Sequence, residues 1–151
     1  MNNEPSNQLT IYCDGGARGN PGPAAAAFVI EDSTGKILHK QGFYLGIATN
    51  NQAEYHAVLE SLKWITNNYY QLSNQLTINY YLDSLLVVNQ LNNKFKTKNK
   101  ILAEKFQEIR KYLDRLQKYK IKIIFNYISR SQNFLADKSV NQTLDSQNFP
   151  Q

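Results

Sequence analysis

The sequence predicts an α/β domain: a mixed five-stranded sheet with helices packed against it. Two observations lead to this fold class. Three β-rich stretches follow one another before the first helical pattern, which indicates an antiparallel meander. Two later β-rich stretches alternate with helical segments, so the order of elements is βββαβααβα. A chain of 151 residues, 42% of them hydrophobic, is long enough to bury one core.

The strands are recognised as runs of β-forming residues that end at turn signals. They are predicted over 9–14, 24–32, 36–46, 76–83 and 120–128. The pair Gly15–Gly16 is expected to end the first strand, and the segment DSTGK to form the turn between the second and third.

The helices are recognised by apolar residues that recur at helical spacing. They are predicted over 49–68, 83–93, 98–119 and 131–145. Thr49 or Asn50 is the expected N-cap of the first helix, and Asp83 or Ser84 that of the second. In the third helix four apolar residues lie near one face: Ile101, Phe106, Ile109 and Leu113.

The ends of the chain are polar and are expected to fray, which leaves a single domain over 8–146 between an N-terminal segment 1–7 and a tail 147–151. The first residues lack the pattern of a signal peptide, and no apolar run is long enough to span a bilayer. Cys13 is the single cysteine, so an internal disulfide is impossible, which fits a reducing compartment. We therefore expect a cytoplasmic protein with no membrane partner.

The charge of the chain is compatible with a polyanionic partner. The net charge is +5, from 17 Lys and Arg against 12 Asp and Glu, and the pI is about 9.2. Many proteins without such a partner are equally basic, so charge alone does not decide. Neither His39 nor His56 lies in the context of a catalytic triad, and one cysteine with two scattered histidines argues against zinc.

Four carboxylates occupy positions where a solvated acid is not expected. Asp14 and Asp83 stand at the predicted C-terminal ends of strands. Glu54 and Asp137 lie at the start of the apolar stripes of their helices. Each has a plainer explanation by itself: Glu54 could be an acid favoured by the helix dipole, and Asp83 an N-cap. Together they form a set of oxygen ligands suited to hard divalent cations. Two such ions about 4 Å apart can support an in-line displacement at phosphorus.

Four blocks of the sequence resemble the signature blocks of type 1 ribonuclease H. They are YCDGGARGNPGPAAAAFVI, TNNQAEYHAVLESL, YLDSLLVVNQLNNKFKTKN and ISRSQNFLADKSVNQTLD, in the order of the family, and they cover roughly residues 9 to 145. The last block is similar to the branch that includes archaeal and some single-domain bacterial members. The resemblance implies a ribonuclease H fold. It also implies a monomeric, metal-dependent endoribonuclease that cuts the RNA strand of RNA–DNA hybrids and leaves 3′-hydroxyl and 5′-phosphate ends.

The resemblance also implies the roles of individual residues. Two Mg²⁺ ions, for which Mn²⁺ can substitute, would be held by four catalytic carboxylates. Asp14 would bridge both ions, Glu54 and Asp83 would help to hold the ion on the leaving-group side, and Asp137 would complete the ion that activates water. Asn20, Asn50 and Asn51 would contact the minor groove of the hybrid. Thr49 would contribute to a DNA phosphate site, and the backbone near Gly15 and Gly16 would approach the ribose.

The chain departs from better-known members of that family in the loop before the last aspartate. Those members carry a histidine there, whereas this loop is ISRSQNF. Arg130 is the nearest candidate to contact the scissile phosphate, as in similar members of this branch. The alternative is a surface charge or a neighbour of a helix cap.

A basic segment, NKFKTKNK, follows the second predicted helix. Lys94, Lys96 and Lys98 could contact phosphates of the DNA strand, the alternative being a solvated loop. Three other functions stay open at this stage: a nuclease of the same fold that also or instead cuts double-stranded RNA or a DNA junction, a hybrid-binding module without catalysis, and a structural protein. The presence of all four acids argues against the binding module, and the three asparagines favour recognition of a 2′-hydroxyl.

Overall fold

The computed structural model describes residues 7–68 and 76–147. The strands are β1 (Gln8–Ala17), β2 (Gly22–Asp32), β3 (Ile37–Ala48), β4 (Thr77–Leu82) and β5 (Lys122–Tyr127). The helices are α1 (Asn50–Asn68), α2 (Leu85–Leu91), α3 (Lys100–Gln117) and α4 (Phe134–Asp145), the last preceded by a 3-10 turn (Arg130–Asn133). The predicted order βββαβααβα is confirmed. The predicted terminal segments fall largely on 1–6 and 148–151, outside the described residues.

The five strands form one mixed sheet in the order β3-β2-β1-β4-β5. β1, β2 and β3 pair antiparallel, as the predicted meander requires, whereas β4 is parallel to both β1 and β5. In the parallel register Tyr12 lies opposite Tyr81. Two residues further along both strands the chain reaches Asp14 and Asp83. The register of neighbouring parallel strands therefore brings these two acids to the same level of the sheet.

The prediction that Gly15–Gly16 ends the first strand is wrong. β1 continues to Ala17, with Gly15 paired to Ala26 and Gly16 to Ala25 of β2. Glycine has a low propensity for β structure, but β2 is long enough to pair with Gly15 and Gly16. The strand therefore continues past Asp14. Asp14 therefore stands inside a strand. The fourth strand, predicted to end at Asp83, ends at Leu82, so Asp83 immediately follows β4.

Helices cover both faces of the sheet. Ala26, Phe28 and Ile30 of β2 belong to the main core, to which α1, α2 and α3 contribute. Ala25 and Ala27 point to the other face, where they form a smaller cluster with Val140 and Leu144 of α4. This alternation along one strand follows from the two-residue period of β structure. It places α1 and α4, the helices with Glu54 and Asp137, on opposite sides of β1.

Side-chain hydrogen bonds at the helix starts show which of the predicted residues are the N-caps. Thr49 Oγ1 accepts a hydrogen bond from the backbone N of Gln52 at 3.1 Å, and Gln52 Oε1 accepts one from the backbone N of Thr49 at 2.8 Å. This reciprocal pair is a capping box and makes Thr49 the cap of α1. Ser84 caps α2, with its side chain accepting from the backbone N of Val87. Asp83 is therefore not the cap of α2, so its carboxylate is not used at the helix start.

The buried face of α3 differs from the predicted one at its first position. Ile109 and Leu113 are buried and Phe106 packs partly against the core, but Ile101 is 51% exposed. Ile101 lies in the first turn, and the neighbouring Leu102 faces the core in its place. Among the described residues, no helix is both long and apolar enough to cross a membrane.

Candidate active site

Three of the four predicted carboxylates converge in one cluster. Asp14 of β1, Glu54 of α1 and Asp83 after β4 each offer an oxygen, and these oxygens lie within 4.8 Å of one another. Asp14 is 7% and Glu54 5% exposed. The cluster lies in a cleft of about 480 Å³, which Asp137 and Arg130 also line. The three residues of the cluster come from three separate parts of the chain, so only the folded chain brings them together.

Gly15 explains why α1 can bring Glu54 so close to β1. A Cβ atom on Gly15 would overlap the backbone carbonyl of Ala53 and the backbone N of Glu54. The helix backbone therefore occupies the space that a side chain at Gly15 would need. This close approach accounts for a glycine inside a paired strand, a position where glycine is otherwise unfavourable.

The protein surroundings of this cluster disfavour its negative charge. Burial, followed by the charges of Asp83 and Asp137, raises the pKa of Asp14 from its usual 3.8 to about 7. Burial, followed by the charge of Asp14, raises the pKa of Glu54 well above its usual value. Glu54 Oε1 is buried and has no hydrogen-bond partner among the described residues. Ionised carboxylates buried in this way need a compensating cation, and oxygen ligands suit a hard divalent ion.

Asp137 lies at the edge of the cluster. It stands in the first turn of α4 and its side chain is 33% exposed, so it is more solvated than Asp14 or Glu54. Arg130 Nη2 is 3.9 Å from Asp137 Oδ1, and the Arg130 side chain is 84% exposed at the rim of the cleft. The predicted helix over 131–145 begins instead with the 3-10 turn, in which Gln132 and Ser129 form a capping box.

Asn133 is a site residue that the sequence analysis missed. It is completely buried, and its Nδ2 lies 2.8 Å from the carbonyl oxygen of Cys13 and 3.1 Å from Asp83 Oδ2. The residue thus joins the turn before α4 to β1 and to the end of β4. Its spacing was a usable signal, because Asn133 precedes the buried Ala136 and Val140 by three and seven positions.

Arg18 is a second residue that was missed. It lines the same cleft, and its Nη2 is 2.7 Å from Asp145 Oδ1 at the end of α4. Arg18 lies in the motif whose aspartate and glycines carry the family resemblance, and no local pattern assigns a role to this arginine. The ion pair holds a guanidinium group at the edge of a cleft whose centre is acidic.

The predicted substrate residues divide between two clefts. Gly15, Gly16, Asn50 and Asn51 line the cleft that contains the carboxylates. A second cleft of about 440 Å³ has walls from α1, α2 and the segment before α3; among the predicted residues it is lined by Asn20, Thr49, Asn51, Lys96 and Lys98. Asn51 borders both clefts and so marks where they meet. Lys94 does not line either of these two clefts.

Hydrogen bonds fix the asparagines between the two clefts. The backbone N of Ala17 donates to Asn50 Oδ1 at 2.8 Å, and the backbone N of Asn50 donates to Asn20 Oδ1 at 2.9 Å. β1, the turn after it and the start of α1 are thereby joined into one polar surface.

Comparison with known proteins identifies the family. A family model described as "Reverse transcriptase-like" matches residues 12–143, which include all four carboxylates. The structure of LC11-RNase H1, isolated from compost by a metagenomic approach, superposes with a TM-score of 0.82. It is 36% identical, over 93% of this chain and 98% of that one. The chain belongs to the type 1 ribonuclease H family.

Two further comparisons describe relatives of this chain. Ribonuclease HI of Halobacterium salinarum is 34% identical over 91% of this chain and 65% of that protein, so the chain spans about two thirds of that relative's length. A crystal structure of LC11-RNase H1 in complex with an RNA/DNA hybrid matches with a TM-score of 0.82 and 35% identity, over 92% of this chain and 98% of that one.

Proposed function

We propose that this ribonuclease H hydrolyses the RNA strand of RNA–DNA hybrids in a reaction that depends on divalent cations. Mg²⁺ is the proposed ion, with Mn²⁺ as a substitute, and the products carry 3′-hydroxyl and 5′-phosphate ends. The observation that carries this proposal is the convergence of Asp14, Glu54 and Asp83, with oxygens within 4.8 Å of one another, in a family of ribonucleases. Asp14 and Glu54 are buried, and Asp83 is partly buried.

The four carboxylates have different proposed duties because their surroundings differ. Asp14, Glu54 and Asp83 would hold cations, with Asp14 shared between two ions, and Asp137 would complete the second ion from the exposed edge. Bound divalent ions supply an activated water and neutralise charge on the phosphate in an in-line displacement. Asn133 holds the Asp83 carboxylate through its amide. Arg130, exposed at the rim, is proposed to contact the scissile phosphate.

Selection of a hybrid is proposed to come from the polar surface between the two clefts. Asn20, Asn50 and Asn51 present amide groups there, and Gly16 presents backbone with no side chain. Short polar groups and bare backbone can reach the 2′-hydroxyls that distinguish RNA from DNA in a shallow minor groove. The second cleft, with Thr49, Lys96 and Lys98, is proposed to take phosphates of the DNA strand. Lys94 is proposed to act only as a more distant positive charge.

We further propose that 8–146 is the ribonuclease H domain and that it acts as a monomer in the cytoplasm. The elements from Gln8 to Asp145 support the domain limits. The lone cysteine, Cys13, is buried, and burial raises the pKa of its thiol well above the usual value, which is consistent with a structural, reduced side chain.

The test is cleavage of one labelled RNA strand presented single-stranded, paired with DNA and paired with RNA, each with Mg²⁺, Mn²⁺ or EDTA. We expect cutting of the hybrid with either metal and none with EDTA, and no metal-dependent cutting by Asp14→Asn. The RNA duplex measures how broad the activity is. Hybrid binding without cutting in any reaction would replace the proposal with a binding module, and exclusive cutting of the RNA duplex would replace the substrate.

A further inference from the structure

A buried tyrosine connects α1, which carries Glu54, to the basic segment NKFKTKNK that follows α2. Tyr55 follows Glu54 in the chain and is fully buried. Its hydroxyl lies 2.6 Å from Gln90 Oε1 on α2 and 3.1 Å from Thr97 Oγ1, in the segment between α2 and α3. We call these three residues, Tyr55, Gln90 and Thr97, the Tyr55 latch.

The chemistry of the three groups sets the direction of both hydrogen bonds. The Gln90 amide oxygen can only accept, so the single Tyr55 hydroxyl proton is donated to it. The Thr97 hydroxyl must then donate to Tyr55. Gln90 is only 6% exposed, so water cannot easily replace these partners. A buried polar group that loses its partner is unfavourable, and the three residues therefore hold one another in place.

Thr97 stands out in an otherwise exposed segment. Residues 92–96 and 98–101 are exposed, whereas Thr97 is partly buried. The start of the segment is held by the backbone N atoms of Lys94 and Phe95, which donate to the carbonyl of Asn89, and its end by Asn99, which caps α3. Between them, within the described chain, the backbone N atoms of 96–98 donate to no other backbone carbonyl. The hydrogen bond of the Thr97 side chain to Tyr55 therefore anchors residues 96–98.

The residues on either side of Thr97 face the second cleft. Lys96 and Lys98 both line it, and so does Gln90. Without the hydrogen bond of Thr97, the two lysines would lie on a stretch free to leave the cleft. We infer that the Tyr55 latch positions Lys96 and Lys98 to bind phosphates of a nucleic-acid strand in this cleft. Tyr55, Gln90 and Thr97 are therefore positioning residues for substrate affinity.

The position of Tyr55 beside Glu54 gives the latch a further consequence. The same turn of α1 carries a proposed metal ligand and the group that locates the lysines. A rigid helix therefore sets the distance between the site of cutting and the proposed phosphate contacts. This inference rests on the proposed hybrid substrate, since the phosphates it assigns belong to the strand that is not cut.

Two variants remove the latch with little change in shape. Tyr55→Phe deletes the hydroxyl, and Thr97→Val deletes the donor at a partly exposed position where folding is at less risk. Tyr80→Phe is the matched control. Tyr80 is equally buried, and its hydroxyl lies 2.7 Å from Ser61 Oγ. It does not line the second cleft, and among the described residues it has no hydrogen bond to the Tyr55 latch. Melting temperatures of all variants report folding.

Hybrid affinity is measured in the Asp14→Asn background so that the substrate stays intact, and KM and kcat are measured in the active enzyme. We expect Tyr55→Phe and Thr97→Val to raise Kd and KM about fivefold at moderate salt, with kcat changed less than about twofold. Tyr80→Phe should leave Kd and KM at the wild-type values. The effect of Tyr55→Phe should vanish when Lys96 and Lys98 are both replaced by alanine.

The outcomes separate this inference from the proposed function. Wild-type protein that neither binds nor cuts the hybrid would overturn both. Wild-type cutting, with Tyr55→Phe and Thr97→Val no different from Tyr80→Phe in Kd, would overturn the latch alone. An undiminished effect of Tyr55→Phe without the two lysines would also overturn it, because the tyrosine would then act by another route.

Discussion

Asn133 donates its side-chain amide to Asp83 Oδ2 across 3.1 Å, and the same nitrogen lies 2.8 Å from the carbonyl oxygen of Cys13. The turn before α4 thereby joins the strand that carries Asp14 to the end of the strand that precedes Asp83. A neutral amide can orient a carboxylate without adding a charge that would compete with a cation. Groups of this kind fix the geometry of metal ligands from outside the coordination sphere.

Replacing Asn133 by alanine should therefore weaken the response to Mg²⁺. We expect the Mg²⁺ concentration for half-maximal cleavage to rise about ten- to a hundredfold, with part of the rate recovered at high Mg²⁺. The measurement is cleavage rate against Mg²⁺ concentration, beside a melting curve. Asn126→Ala is the control, because the Asn126 amide donates to the backbone carbonyl of Tyr80 and, within residues 7–68 and 76–147, to no carboxylate. If Asn133→Ala lowers the melting temperature but leaves the Mg²⁺ response unchanged, the role of Asn133 is purely structural.

The raised pKa of Asp14 predicts how stability depends on pH when no metal is bound. The folded protein keeps a proton on Asp14 up to about pH 7, whereas the unfolded chain loses it near 3.8. Between these values the folded state binds more protons, so the free energy of unfolding falls as pH rises. Asp14→Asn removes this penalty. Its gain over wild type should be about 3 kcal/mol larger at pH 8 than at pH 5.

Urea unfolding in EDTA at the two pH values measures this difference, and Glu54, whose pKa is also raised, acts in the same direction. Mg²⁺ should stabilise the wild type at pH 8 and stabilise Asp14→Asn much less, because the ion replaces the missing positive partner. Equal gains at both pH values would contradict the assignment of the shift to Asp14.

The elements and the acids could be predicted because their signals are local. Runs of β-forming residues and helical spacing are present in the chain itself, and Glu54 and Asp137 are conspicuous against apolar stripes. The extension of β1 through Gly15 could not be predicted, since it depends on β2 and on a helix backbone that fills the space beside the glycine. The hydrogen bonds of Asn133 join residues 50 and 120 positions apart, so no local pattern indicates them.

Gly15 and Gly16 are adjacent but should respond differently to alanine. A Cβ at Gly15 would overlap the backbone of α1, whereas one at Gly16 would meet nothing closer than Asn50 Oδ1 at 3.9 Å. Gly15→Ala should lower the free energy of unfolding by about 3 kcal/mol, since backbone must shift. Gly16→Ala should fold with nearly wild-type stability and raise KM for the hybrid, because its methyl group would enter the cleft. Urea unfolding and steady-state kinetics of both variants give the comparison. A wild-type KM for Gly16→Ala would show that substrate does not approach this backbone.

Arg130 lies at the rim of the cleft, where its proposed contact with the phosphate can be tested. Its side chain is 84% exposed and its Nη2 lies 3.9 Å from Asp137 Oδ1, so the ion pair is too solvated to contribute much to stability. Arg130→Ala should therefore leave the melting temperature unchanged but lower kcat about tenfold or more, if the group contacts the phosphate. Arg130→Lys should recover only part of the rate, because lysine keeps the charge but lacks the planar pair of donors. Arg115→Ala is the control, since Arg115 lies over the ring of Tyr112 on α3 and does not line the cleft. Unchanged cleavage by Arg130→Ala would make Arg130 a surface charge and leave the four carboxylates to act without it.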